Sequence, residues 1–245
     1  MGSIAGSVFT APRKLFVALL VSLLAVILPG RSGWTQTPDA LPFSKAFLVT
    51  GNYVVGAVDL NPKTAVNGFV NGTIPMSGVP ADAEILAAYL YWEMITTDIA
   101  QVDGAQFRGS PITVVKASST SLNPSIAPCW SSGGGSGATY TMTMFRADVL
   151  HLLPFQLGAN GQPTGRRLVN DADLTNNGLP LTTVTLPNGN AGNQVPSAAG
   201  ATLFVVYRSA SQPLTKIVLY DGIYVQPCTR RFAGSISRPR ASSRG

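Results

Sequence analysis

The chain of 245 residues is long enough for one sizeable hydrophobic core, with 45% hydrophobic and 11% charged residues. Its 25 glycines and 18 prolines, with recurring Thr and Val, favour short strands joined by turns over a helical bundle. The formal net charge is +6, but eight of the cations lie in residues 1–35 and 229–245, and without them the charge is −2. A basic nucleic-acid groove is therefore not expected in the body of the domain.

Residues 1–35 have the pattern of a secretory signal peptide. Two cations, Arg13 and Lys14, precede an apolar run from Leu15 to Leu28, and Pro29-Gly30 ends it. The run is shorter than the ~20 residues that span a bilayer as a helix. We therefore expect a secreted, extracellular or cell-surface protein, with the periplasm as an alternative, and no stable transmembrane span after cleavage.

Two cysteines, Cys129 and Cys228, would then lie in an oxidising compartment, where a disulfide can persist. We predict a bridge between them, with two free thiols as the alternative. A zinc site is not expected, because the cysteines are far apart and His151 is the chain's single histidine.

A lead segment (36–45) precedes the first predicted β structure. The stretch "KAFLVTGNYVVGAVDL" predicts two strands joined by a tight hairpin at Gly51-Asn52, because both residues tolerate positive φ. Turn-rich sequence follows, and then "AAYLYWE" (87–93) is apolar on both alternating faces. Such a run fits a strand buried on both sides, but its Ala, Leu and Glu content also suits a helix, and periodicity alone leaves the two open.

Further along, Asp103-Gly104 predicts a hairpin turn, and 118–139 are typical of a flexible Ser/Gly-rich loop. The segment "TYTMTMFRADVLHLLP" alternates as a strand and then predicts a turn of helix or a bend near Asp148. Near the end, "TLFVVY" and "KIVLYDGIYV" predict a pair of strands joined by a polar connection. Residues 229–245 contain Arg, Ser and Gly without apolar periodicity, and we predict a disordered basic tail.

Three segments, "AAYLYWE", "FRADVLHLLP" and "ATLFVVYRSASQPLTKIVLYDGIYV", resemble a β-rich domain family of unknown function found in bacterial secreted and cell-surface proteins. The resemblance covers roughly residues 46 to 225. It implies a β-sandwich and export, and it favours the strand interpretation of "AAYLYWE"; it supplies no catalytic residues. Family members continue with further β structure where this chain has its basic tail. A truncated or frame-altered end is therefore one interpretation, and a tail that contacts anionic envelope polymers is the other.

Several polar residues are candidates for a site. Glu93 ends an apolar run, and a glycosidase would need a second carboxylate such as Asp98, Asp103 or Asp221 beside it. Asp221-Gly222 predicts a bulge or tight turn, in which the carboxylate bonds nearby backbone N–H groups or a ligand. The segment 170–178 offers hard oxygen ligands for calcium in Asp171, Asp173 and Asn176, but it lacks EF-hand spacing and also fits an ordinary polar turn. No serine-centred elbow, phosphate loop or dinucleotide motif occurs.

The sequence thus predicts an all-β, jelly-roll-like antiparallel sandwich over 46–228, with little helix after the signal peptide. No cofactor is expected except a calcium ion, for which Asp171, Asp173 and Asn176 are the candidate ligands. The expected function is a non-catalytic surface or structural module for adhesion or matrix association, with envelope polymers, glycans or other surface proteins as partners. A carbohydrate-binding domain is the alternative, with Tyr89, Tyr91, Trp92 or Trp130 stacking on sugars. A glycoside hydrolase using Glu93 and Asp221 is a weaker one.

Overall fold

The computed structural model describes residues 41–60, 64–96, 103–122, 140–189 and 195–223, with the backbone alone for 120–122. The predicted signal peptide, the predicted basic tail, Asp98, Cys129, Trp130 and Cys228 lie outside these residues. The described part of the chain forms twelve strands: β1 Phe43–Asp59, β2 Phe69–Thr73, β3 Glu84–Thr96, β4 Gln106–Phe107, β5 Ser110–Pro111, β6 Val115–Leu122, β7 Tyr140–Asp148, β8 Phe155–Leu157, β9 Pro163–Arg167, β10 Thr183–Pro187, β11 Ser197–Arg208 and β12 Leu214–Tyr220. A 3-10 turn, Leu150–Leu152, and one short helix, α1 Asp171–Asn176, complete it.

The strands are antiparallel and form a sandwich-like arrangement, which confirms the all-β prediction. A curled sheet has the order β12-β1-β11-β3-β7-β6, and a smaller sheet has the order β2-β10-β4-β5. Strands β8 and β9 form a separate pair. The jelly-roll connection stays a prediction, because this strand order does not establish it. None of the helices in the described ranges has the length and apolar character needed to span a bilayer.

The predicted two-faced strand is β3, which lies in the middle of the large sheet between β11 and β7. One face of β3 packs towards the small sheet, where Leu90, Trp92 and Met94 are at most 2% exposed. The other face carries Ala87 and Tyr89 into a second apolar cluster. Because both faces are covered, the strand has no polar side until Glu93.

The predicted hairpin at Gly51-Asn52 is wrong, because β1 runs unbroken through both residues. Before Gly51, β1 pairs with β12; from Gly51 onwards it pairs with β11 on its other side. A Cβ at Gly51 would lie 2.0 Å from the carbonyl oxygen of Tyr207. The glycine therefore permits a close approach of two backbones where the chain passes from one pairing to the other.

The first half of β1 (43–50) and β12 form a two-stranded ribbon that covers the second face of the large sheet. Phe47, Val49 and Ile217 of the ribbon pack in the same apolar cluster as Tyr89 and Phe204 of the sheet. Strand β1 lies between β11 and β12, so the predicted direct pairing of these last two strands is wrong. Strand β1 starts at Phe43, inside the predicted lead segment.

Candidate functional site

Asp221 lies just after β12, at the end of the ribbon, and is 7% exposed. Its Oδ2 accepts hydrogen bonds from Ser44 Oγ at 2.7 Å and from Arg146 Nη1, with which it also forms an ion pair. Its Oδ1 accepts a hydrogen bond from Tyr91 Oη at 2.9 Å. We call Ser44, Tyr91, Arg146 and Asp221 the polar cluster.

Three parts of the fold meet in the polar cluster. Tyr91 and Arg146 are opposite partners on β3 and β7, so their side chains share one face of the large sheet. Ser44 lies at an irregularity of β1 between Phe43 and Lys45. Arg146 Nη1 also donates to Ser44 Oγ at 2.7 Å, which closes the network between the ribbon and the sheet.

The surroundings of the cluster are cationic and aromatic. Lys45 Nζ lies 5.0 Å from the centre of the Tyr89 ring, and the guanidinium carbon of Arg146 lies 5.8 Å from it. Both contacts are within the range of cation–π attraction. Burial, together with the hydrogen bond and negative charge of Asp221, raises the pKa of Tyr91 to about 12. Tyr91 is therefore a neutral donor at ordinary pH.

The polar cluster binds Asp221 through three side chains. Both oxygens of Asp221 are already engaged by side chains of this protein. These three hydrogen bonds use three of the roughly four acceptor positions of the carboxylate. Asp221 therefore attaches the ribbon to the sheet, through side chains where the sequence suggested backbone N–H groups.

Glu93 lies two residues after Tyr91 on the same strand and faces the same side of the sheet. It is paired across the sheet with Met144. Part of its side chain is open to water, but desolvation by its neighbours raises the pKa of its carboxyl group. The structure therefore places Glu93 near the polar cluster, and among the described contacts it makes no hydrogen bond to Asp221. Asp103 lies on a separate turn before β4.

The aromatic candidates for sugar stacking are mostly interior residues. Trp92 is 2% exposed and stacks on Phe145 with ring centres 5.6 Å apart. Tyr89 is 6% exposed. A sugar could not reach either ring without repacking the core, so of the described candidates half-buried Tyr91 is the most accessible.

The calcium candidates Asp171, Asp173 and Asn176 lie in helix α1, where the sequence predicted a calcium loop or an ordinary polar turn. Asp171 Oδ2 accepts a hydrogen bond from the Met76 N–H at 3.2 Å. Asp173 Oδ2 accepts one from Asn170 Nδ2 at 3.1 Å and lies 3.6 Å from Arg166 Nη2. Among the described residues no cluster of three His, Cys, Asp or Glu side chains could hold a metal ion. These two carboxylates tie α1 and β9 to neighbouring loops.

Two open cavities occur elsewhere on the surface. One, of about 290 Å³, lies between the sheets beside Asp103, Lys116 and Phe145. The other, of about 340 Å³, contains Asp82, which accepts a hydrogen bond from Ser209, and the exposed ion pair of Glu84 with Arg208. Both are near the lower limit of ligand pockets.

The outer face of the ribbon, which is open to solvent, is largely apolar. Five of its side chains are exposed apolar groups: Phe43 63%, Leu48 73%, Leu214 67%, Val218 37% and Tyr220 57%. We call these five the outer strip. In the register of the ribbon Leu48 is opposite Lys216 and diagonal to Leu214 and Val218, and Phe43 is opposite Tyr220. The strip is therefore continuous along the ribbon.

Sequence reasoning singled out Asp221 but missed its partners and the outer strip. Ser44, Tyr91 and Arg146 are separated from Asp221 by 177, 130 and 75 residues, and no local pattern connects them. The sequence does contain an indication of the outer strip, because "KAFLV" and "KIVLY" are each apolar on both alternating faces. No family model, curated protein or solved structure matches this chain.

Proposed function

We propose that this protein is an exported, non-catalytic surface module that associates with the cell envelope or matrix through the ribbon. The outer strip is the observation that carries the proposal. A ribbon that is apolar on its buried face is expected to be polar on its solvent face, as antiparallel sheets with one wet side are. Here five large apolar side chains lie together on that face, which is typical of an interaction surface.

The polar cluster supports the same conclusion. It holds the ribbon in a fixed position on the large sheet, because Asp221 is bound from β1, β3 and β7 together. A docking surface that is held rigidly loses less conformational entropy on binding than a mobile one. The cluster therefore fits a supporting role for the outer strip.

Fractionation of a bacterial host that exports the full chain tests this function. We expect the protein in the washed envelope fraction, and we expect Leu48→Ser with Val218→Ser to shift it to the medium. Val66→Ser is the matched control, because Val66 is 66% exposed and lies outside the strip. An unchanged distribution of the strip variant, or recovery of the chain in the cytosol with Met1 intact, would contradict the proposal.

The carbohydrate-binding and hydrolase alternatives have weaker support. Burial removes Trp92 and Tyr89 as stacking platforms, and three side chains of this protein already bind the carboxylate of Asp221. A glycan array separates the alternatives, since specific binding that survives the strip substitutions would favour carbohydrate recognition.

A further inference from the structure

The ribbon is attached to the large sheet by few backbone contacts. Residues 43–50 pair with β12 and, among the described residues, with no other strand. Two backbone hydrogen bonds lie at the corner where β1 changes its pairing. The Ser209 N–H donates to the Thr50 carbonyl at 3.0 Å, and the Gly51 N–H donates to the Pro213 carbonyl at 3.2 Å. Beyond this corner the ribbon meets the sheet through side chains alone.

The apolar contacts of the ribbon are separate from the main core between the two sheets. Val49 and Ile217 are the ribbon's buried apolar side chains, and Phe47 and Leu219 pack beside them half-buried. The buried cluster between the sheets contains no residue of the ribbon. Loss of the ribbon would therefore leave the contacts of the main core in place.

The polar cluster holds the other end of the ribbon. The Gly51 corner lies at the start of β12, whereas Asp221 lies just after its end. There Asp221 binds Tyr91 and Arg146, which belong to strands that the ribbon does not pair with. Charge-assisted hydrogen bonds of this kind are about twice as strong as neutral ones. One end of the ribbon is thus held by the backbone and the other by the polar cluster.

We infer that the ribbon opens as one unit while the two sheets stay folded, and that the polar cluster sets how often it opens. Such sub-global opening is expected where few buried apolar contacts join a segment to the rest of a domain. A separate two-stranded ribbon is marginally stable in water, so its two strands should unpair when it opens. The open form would expose the apolar face of Ala87, Tyr89, Phe204 and Val206. This inference does not depend on what the outer strip contacts.

Hydrogen exchange of the full chain tests the inference, under conditions where closing is faster than chemical exchange. We expect the slowest amides of the ribbon to exchange at least about tenfold faster than the slowest amides of β3. Their exchange should also depend less on urea, because opening exposes less surface than global unfolding does. The slowest amides of residues 43–50 and of β12 should share one opening constant, since both strands are released together.

A substitution in the main core distinguishes opening of the ribbon from global unfolding. Val184 is fully buried in β10, and Val184→Ala destabilises the closed and open forms equally relative to the unfolded chain. It should speed exchange in β3 by at least about tenfold and leave exchange in the ribbon within about twofold of the wild type. Ile74→Val is the milder variant in the same core, with about three- to tenfold expected in β3 if Val184→Ala does not fold. Equal acceleration of β3 and the ribbon would overturn the inference, because the ribbon would then open in global unfolding alone.

Asp221→Ala tests the part played by the polar cluster. Exchange in the ribbon should rise by more than about tenfold, because one end of the ribbon loses its ion pair and its hydrogen bonds. Glu84→Ala is the matched control, since it breaks an exposed ion pair outside the ribbon and should speed exchange by less than about fivefold. Exchange in the ribbon of Asp221→Ala that stays at the wild-type rate would show that the cluster does not keep the ribbon closed.

Discussion

Removing the carboxylate of Asp221 should release the ribbon from the large sheet and lower stability substantially. Removing one partner of a buried ion pair lowers the free energy of unfolding by about 3–5 kcal/mol when both groups are fully desolvated. The side chain of Asp221 is 9% exposed and that of Arg146 is 21% exposed, so the arginine can partly regain water when its partner is lost. We therefore expect Asp221→Ala to lower the free energy of unfolding by about 2–3 kcal/mol, after that discount. For a domain of this size the melting temperature should fall by roughly 5–10 °C.

Glu84→Ala is the matched control, because it breaks the ion pair with Arg208, whose side chains are 52% and 58% exposed. An exposed pair contributes at most about 0.5–1 kcal/mol. Chemical denaturation of both variants and of the Asp221→Ala, Arg146→Met double variant would measure the coupling, which we expect to be about 1–2 kcal/mol. Equal losses in Asp221→Ala and Glu84→Ala, or additive losses in the double variant, would refute the reasoning.

Three further predictions concern Gly51 in β1, Glu93 beside the polar cluster and Tyr91 within it. Gly51→Ala should lower the free energy of unfolding by about 3 kcal/mol or more, because the new Cβ would lie 2.0 Å from the Tyr207 carbonyl oxygen. Gly158→Ala is the control, since its nearest atom is a side-chain oxygen at 3.1 Å, and thermal melts should show a far smaller loss for it. The raised pKa of Glu93 means that folding disfavours its charged form. Glu93→Gln should therefore stabilise the protein at neutral pH, by less than about 1 kcal/mol, and should give no gain at acid pH, where the wild-type carboxyl group is neutral. Equal gains at both pH values would contradict this. The pKa of Tyr91, about 12 against 10.0 for a free tyrosine, means that its contribution to stability is present below pH 10 and is lost as the pH rises towards 12. Tyr91→Phe should therefore lose less stability than the wild type over that alkaline interval, and an identical alkaline decline would exclude Tyr91 as its source.

Local sequence patterns predicted those elements whose burial can be inferred from their own residues. The two apolar faces of β3 fitted a central strand but also left a helix open, and the family resemblance favoured the strand. Strand β3 lies between β11 and β7, where both faces are covered. The alternation of 140–148 and the bend after Asp148 are likewise present, as β7 and the 3-10 turn that follows it. In these segments local propensity and tertiary packing agree.

The remaining features depend on contacts that no short window contains. Gly51 was taken for a turn residue, but its role is to let β1 pass closely by Tyr207 on a distant strand. Helix α1 was taken for a loop because its polar residues favour turns, yet Leu174 is fully buried and anchors it. The environment of Asp221 is assembled from three separate strands, so its chemistry could not be derived before the fold was known.

The pairing of Phe43 with Tyr220 has a mechanical consequence. The first and last strands of the described domain run side by side in opposite directions, so the chain enters and leaves at one corner. Tension applied between these two ends would peel the ribbon open bond by bond, because its hydrogen bonds are loaded in succession. A domain built this way is poorly suited to carrying load along the polypeptide.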